Sequence, residues 1–122
     1  MGTGHALDVV VGEQLSSVEF VQDYLQLHFD GPTLTIYRYP LVEVGGVRHA
    51  GGSPGYRDLL CDRIAKQVCS VTVTAGKEIG VEFEDGARIA IPLRPCEGSG
   101  PEAAMFQDPG VGAWEVWQYG MP

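Results

Sequence analysis

Hydrophobic and polar positions alternate along two stretches of this chain in nearly the same way. Leu25, Leu27, Phe29, Leu34 and Ile36 fall on one face, with Gln26, His28, Thr33, Thr35 and Tyr37 on the other. Further on, Ile79, Val81, Phe83, Ile89, Ile91 and Leu93 repeat the pattern. A period of two on both arms of a turn predicts a hairpin with one buried face. Asp30-Gly31-Pro32 turns the first hairpin, and Pro32 cannot adopt φ > 0, which rules out an ordinary type I′ turn. The second turns through Asp85-Gly86-Ala87. With Phe83 opposite Ile89, Glu84 and Arg88 are expected to form a cross-strand ion pair.

The echo continues upstream, where Gln14-Leu15-Ser16-Ser17-Val18 matches Gln67-Val68-Cys69-Ser70-Val71. The chain therefore reads as one domain over residues 1–122 built from two copies of a β unit, residues 11–37 and 64–93. Between them, Ser53-Pro54 is a helix opening, an N-cap hydroxyl followed by proline at the first helical position. Tyr56, Leu59, Leu60 and Ile64 then fall at helical spacing, which predicts a helix over 54–66. The β-branched run in residues 6–11 predicts a first strand or an extended lead-in, and Ser17 to Val21 a second strand. Residues 43–55 hold five glycines and read as a loop. Pro101 opens one or two helical turns within residues 100–106, and residues 114–119 alternate as a last strand at a sheet edge. The expected class is α+β: duplicated antiparallel meander or hairpin units with one helix packed on the sheet.

Composition narrows the function. Among 122 residues, 17 Gly and 8 Pro favour short strands and frequent turns over a helical bundle. The net charge of −8, with eight scattered Lys and Arg, argues against nucleic acid; such acidity first serves solubility, and it also suits a basic protein as partner. The start carries neither a secretory nor a myristoylation pattern, and no apolar run is long enough for a membrane span, so a cytoplasmic location is expected. Cys61, Cys69 and Cys96 lack C-x-x-C spacing and read as reduced, mostly buried thiols without bridges.

Catalytic and metal-binding patterns are missing from the sequence. His5, His28 and His49 have no metal-pair spacing, and Glu78, Glu82, Glu84 and Asp85 lack the calcium-loop run. No nucleophile–base constellation stands out, so neither catalytic residues nor a metal or cofactor is expected. Two binding surfaces remain. Residues 45–55 precede a helix without a phosphate-loop fingerprint, and Arg48, His49 and Ser53 there, with the adjacent sheet face, are the alternative site for a small ligand. The other surface is the acidic outer face of the second hairpin, Glu82, Glu84 and Asp85, flanked by Trp117 and Tyr119, which alternate away from Trp114.

The repeated Gln-(Leu/Val)-x-Ser-Val motif, each followed by a Phe and an Asp-Gly turn (Phe29-Asp30-Gly31 and Phe83-Glu84-Asp85-Gly86), resembles small bacterial domains of immunity-protein type. These neutralise a toxin encoded nearby. The resemblance covers residues 11–37 and 64–93 and implies a small acidic cytoplasmic protein that binds a partner without catalysis. It assigns no functional residues.

Overall fold

Strands dominate, as the alternation requires. The computed structural model describes residues 3–95 and 100–120. Two five-stranded antiparallel sheets form. The first has the order β1 (Ser17–Val21), β2 (Tyr24–His28), β3 (Thr33–Ile36), β9 (Glu102–Asp108), β10 (Ala113–Gln118). The second has the order β5 (Val47–His49), β4 (Leu41–Val44), β8 (Arg88–Pro92), β7 (Glu78–Phe83), β6 (Val68–Thr74). Each sheet is thus a meander of three consecutive strands extended by a hairpin that follows the other meander in sequence. One hydrophobic cluster joins the inward residues of both sheets, including Leu25, Leu27, Leu34, Ile36 and Phe106 from the first and Val42, Ile79, Val81, Ile89 and Ile91 from the second. With a single short α-helix, α1 (Tyr56–Cys61), the class is α+β with strands in the majority.

Both hairpins seen in the alternation are present, and Phe29, Phe83, Leu34, Ile89, Ile36 and Ile91 are all buried. Their registers run in parallel. Leu27 faces Leu34 and Leu25 faces Ile36 in the first meander, while Val81 faces Ile89 and Ile79 faces Ile91 in the second. The second turn differs from expectation by one step on each strand. Phe83 donates its N–H to Ala87 O at 2.9 Å, so Arg88 stands opposite Glu82, and Glu84 lies in the turn.

Four elements depart from the sequence reading. Residues 6–11 form a 3-10 helix, Ala6–Val10, whose Leu7 and Val10 point inward three positions apart. The glycine-rich stretch is a hairpin: Gly45 and Gly46, with φ of 59° and 82°, make the left-handed two-residue turn between β4 and β5 that suits twisted strands. Residues 102–108 are strand because Ala104 and Phe106 complete the core opposite Ile36 and Leu34; tertiary pairing overrides their helical propensity.

The helix is the fourth. It starts at Tyr56, with Gly55 and not Ser53 as its N-cap, and ends at Cys61. It stops early because the backbone of residues 65–68 is engaged elsewhere. Gln14 and Gln67 form an antiparallel bridge, flanked by Gly12 N to Val68 O (2.8 Å), Ala65 N to Leu15 O (2.7 Å), Leu15 N to Lys66 O (3.1 Å) and Val68 N to Glu13 O (2.9 Å). Its place is also different from a helix lying on a sheet face. It touches β1 and β4 at one side of the sandwich, while the 3-10 helix touches β6 and β10 at the other.

Cys61 and Cys69 are free and exposed, not buried. Cys69 sits where the β6–β7 register shifts between Val68 and Ser70, which leaves its thiol outside against Glu82. Cys96 lies outside the described residues. No helix among the described residues is long and apolar enough to cross a membrane.

Candidate functional site

The outer faces of the two sheets have opposite chemistry. On the second, one register row runs Arg48, Glu43, Arg88, Glu82, Ser70 across all five strands. Arg48, Glu43 and Arg88 satisfy one another, while the exposed Glu82 accepts from the Ser70 hydroxyl at 3.2 Å. Arg48 Nε lies 2.7 Å from Glu43, and Arg88 reaches Glu43 at 3.1 Å and Glu78 at 2.7 Å. Gly80 makes this possible, because a Cβ there would collide with the Arg88 guanidinium and the Thr72 hydroxyl. Arg48 is therefore a partner of Glu43 and Glu78, not a free anion donor.

Burial works against the ionised form of Glu78, but hydrogen bonding and charge from Arg88, joined by Arg48, outweigh it and hold its carboxyl below the ordinary value of 4.5. A carboxyl depressed in the folded state contributes stability that is complete above its unfolded value and lost as pH falls through the folded one. The melting temperature should hence fall as pH drops below about 4.5, and Glu78→Gln should flatten that limb. Thermal melts from about pH 6 down to about pH 3 check this; equal acid limbs in both proteins would exclude the network as the cause.

On the first sheet the outer rows are uncharged in the middle. One runs Ser17, His28, Thr33, Gln107, Trp114; the next runs Glu19, Gln26, Thr35, Met105, Val116. Gln26 donates to the Thr35 hydroxyl (3.0 Å), and His28 bonds Thr33 and Glu19 (both 3.1 Å). Tyr24 and Tyr37 approach each other at 6.1 Å between ring centres. Trp114, on the edge strand β10, is 64% exposed, and Val111 in the preceding turn is exposed too. Exposed acids stand around the margin: Glu19, Asp23, Asp30 and Glu102.

The acidic–aromatic surface expected from the sequence does not form one patch. Glu82, Glu84 and Asp85 lie at the Phe83 end of β7, whereas Trp117 lines a cleft with Val73, Ala75 and Gly76 near the opposite end of that hairpin. The strand between them spans about 17 Å. Trp117 is only 8% exposed and Tyr119 is half-buried, with the Arg38 guanidinium 5.1 Å over its ring. Alternation placed Trp114 and Trp117 on opposite faces correctly, but a period of two does not say which face is inward. Asp85 is engaged as well, pairing with the buried Arg63 at 2.7 Å.

The alternative ligand site is likewise divided. Ser53 borders a hollow of about 400 Å³ with Tyr39, Tyr56 and Arg57, but its hydroxyl donates to Ala50 O, and neither Arg48 nor His49 reaches that hollow. Among the described residues, no group of three or more His, Cys, Asp or Glu stands together to hold a metal ion.

Sequence reasoning missed a cleft of about 460 Å³ beside the 3-10 helix, lined by His5, Val73, Gly76, Leu93, Glu115 and Trp117 among others. His5 Nδ1 lies 2.5 Å from Glu115, whose other oxygen accepts from Ala6 N at 2.9 Å. The His5 ring tilts against Trp117 at 5.9 Å. Among the described residues nothing accepts from the buried Trp117 Nε1–H. His5 and Glu115 are 110 residues apart, so no local motif could announce them.

Set against protein-family models, curated proteins and solved structures, the chain matches none of them.

Proposed function

We propose that this chain is a non-enzymatic protein-binding domain that holds a basic partner on the outer face of its first sheet, as an inhibitor of immunity type would. The observation that carries the reading is Trp114. A tryptophan left 64% exposed on an edge strand, at the end of a row of uncharged side chains, is the kind of anchor on which interfaces concentrate their energy. Tyr24, Tyr37, Met105 and Val116 extend the surface, and the acidic margin supplies charge complementary to a basic protein. The second sheet is the poorer candidate, because Glu43, Glu78, Arg48 and Arg88 on its outer face are already paired with one another. The site thus moves from Trp117 and Tyr119 to Trp114, and from the Glu82 turn to the opposite sheet.

The same reading includes duplication of a β unit. It is supported by the exchange of hairpins between the sheets, the matching registers, and the bridge at Gln14 and Gln67. A shift of 53 in numbering turns the bond from Leu15 N to Lys66 O into the bond from Val68 N to Glu13 O. It likewise turns Gly12 N to Val68 O into Ala65 N to Leu15 O, as a two-fold axis through the bridge would. Gly12 and Ala65, equivalent under that shift, share positive φ. Leu7 of the 3-10 helix and Leu60 of α1 are equivalent too, and both are fully buried.

Binding to the product of an adjacent reading frame tests the function. Trp114→Ala should weaken the complex by about 2 kcal/mol or more, roughly thirty-fold, mainly through faster dissociation. Raised salt should slow association. A complex indifferent to Trp114→Ala but lost on Glu82→Lys would return the site to the second sheet.

A further inference from the structure

The two sides of the sandwich are closed by equivalent elements but filled differently. Beside α1, Tyr39 stacks on Tyr56 at 6.1 Å with 8° between planes and meets Phe20 edge-on. The Tyr56 hydroxyl donates to Pro40 O at 2.5 Å. Three aromatic rings pack on one another there, beside the hollow of about 400 Å³ that Tyr39 and Tyr56 border. The position equivalent to Phe20 beside the 3-10 helix is Val73, since Phe20 faces Leu25 as Val73 faces Ile79. The shift of 53 sets Thr3 against Tyr56, and the 55-residue offset of Ile36 from Ile91 sets Arg94 against Tyr39. No ring stands at any of the three. What remains is the cleft between Val73, Gly76, Leu93 and Trp117, with His5 and Glu115 on its wall.

We propose that this cleft binds a small, neutral, flat phenol, on the side where the positions equivalent to Phe20, Tyr39 and Tyr56 carry no ring. Apolar contacts with Val73, Leu93 and the Trp117 ring take the ring of the ligand, as is usual for small-molecule sites. The His5–Glu115 pair supplies the polar end. With Nδ1–H given to Glu115, the carboxylate fixes the imidazole and leaves Nε2 to hydrogen-bond the hydroxyl. A carboxylate ligand is disfavoured, because Glu115 and a net charge of −8 oppose it. The comparison of the two sides rests on the duplicated reading above; it does not depend on the partner surface at Trp114.

The test is a titration of the isotope-labelled full chain with p-cresol, the side-chain analogue of tyrosine, followed by the two tryptophan indole N–H signals. The Trp117 signal should move and saturate with a Kd in the millimolar range or below, about −4 kcal/mol, while the Trp114 signal stays. Replacing p-cresol by 4-methylanisole, which lacks the donor, should weaken binding about tenfold, and His5→Gln should erase that difference. Val73→Phe, which restores the ring of the other side, should abolish binding and leave the melting temperature at or above that of the wild type. Non-saturating shifts in the wild type, or p-cresol binding unchanged by Val73→Phe, overturn the proposal. A folded wild type that binds while Val73→Phe melts far lower keeps the cleft and counts against the equivalence of the two sides.

Discussion

Phe29→Ala and Phe83→Ala are each expected to lower the free energy of unfolding by about 3–5 kcal/mol, and by matching amounts. Both rings are fully or almost fully buried, each at the end of the middle strand of its meander, where the residue's backbone N–H closes the turn that follows. Truncation removes the transfer energy of the ring and leaves a cavity that middle strands paired on both sides cannot easily collapse. For a domain of this size the total is about 5–15 kcal/mol, so either change removes a large share and lowers the melting temperature by roughly 10–20 °C. The transition should nevertheless stay single. Hairpin β4–β5 completes the sheet of the second meander and β9–β10 that of the first, so neither half owns a finished sheet. Urea unfolding followed by circular dichroism should give one transition with an unchanged slope for both variants. Two separate transitions, or one variant close to wild type, would sink both the shared core and the equivalence of the two positions.

What the sequence disclosed follows from which forces have a local signature. Burial on one face writes a period of two, so β2, β3, β7 and β8 were legible down to their inward residues. Glycine-rich composition masks β4–β5, although Val42, Val44 and Val47 alternate around Gly45 and Gly46. Strand β9 was obscured by a proline and two alanines that favour a helix only until β3 offers them a pairing edge. The exposed tryptophan was legible as one of two, but choosing between Trp114 and Trp117 needs the other sheet. His5 and Glu115 gave no signal at all. One signal for the cleft is present: the proposed duplication sets Val73 against Phe20, a large aromatic on one side only.

Asp85→Ala is expected to cost more than its exposure suggests, and more than removing both members of its pair. Arg63 is buried, its guanidinium lies 5.6 Å over the Phe83 ring, and Asp85 accepts from its Nη1 with both carboxylate oxygens at 2.7 Å. Arg63 Nε has no acceptor among the described residues. Taking away the carboxylate strands a buried cation, whereas an apolar residue in place of the arginine leaves a shape that can pack. Asp85 is itself 37% exposed, so water screens part of the attraction, and a loss of about 2 kcal/mol is expected in place of the larger penalty of a fully buried pair. Arg63→Met with Asp85→Ala should then cost less than Asp85→Ala alone, the sign a double-mutant cycle detects. The hydrogen bond from Arg63, with that from Ala87 N and the charges of Arg63 and Lys66, outweighs burial and holds the Asp85 carboxyl below its ordinary value of 3.8. Its contribution is therefore complete above about pH 4 and disappears as pH falls through the folded value. The gap in urea midpoint between wild type and Asp85→Ala should be wider at about pH 7 than at about pH 3. If the double variant is the least stable of the set, Arg63 packs for its own sake, and Asp85 becomes free again as a contact for a partner.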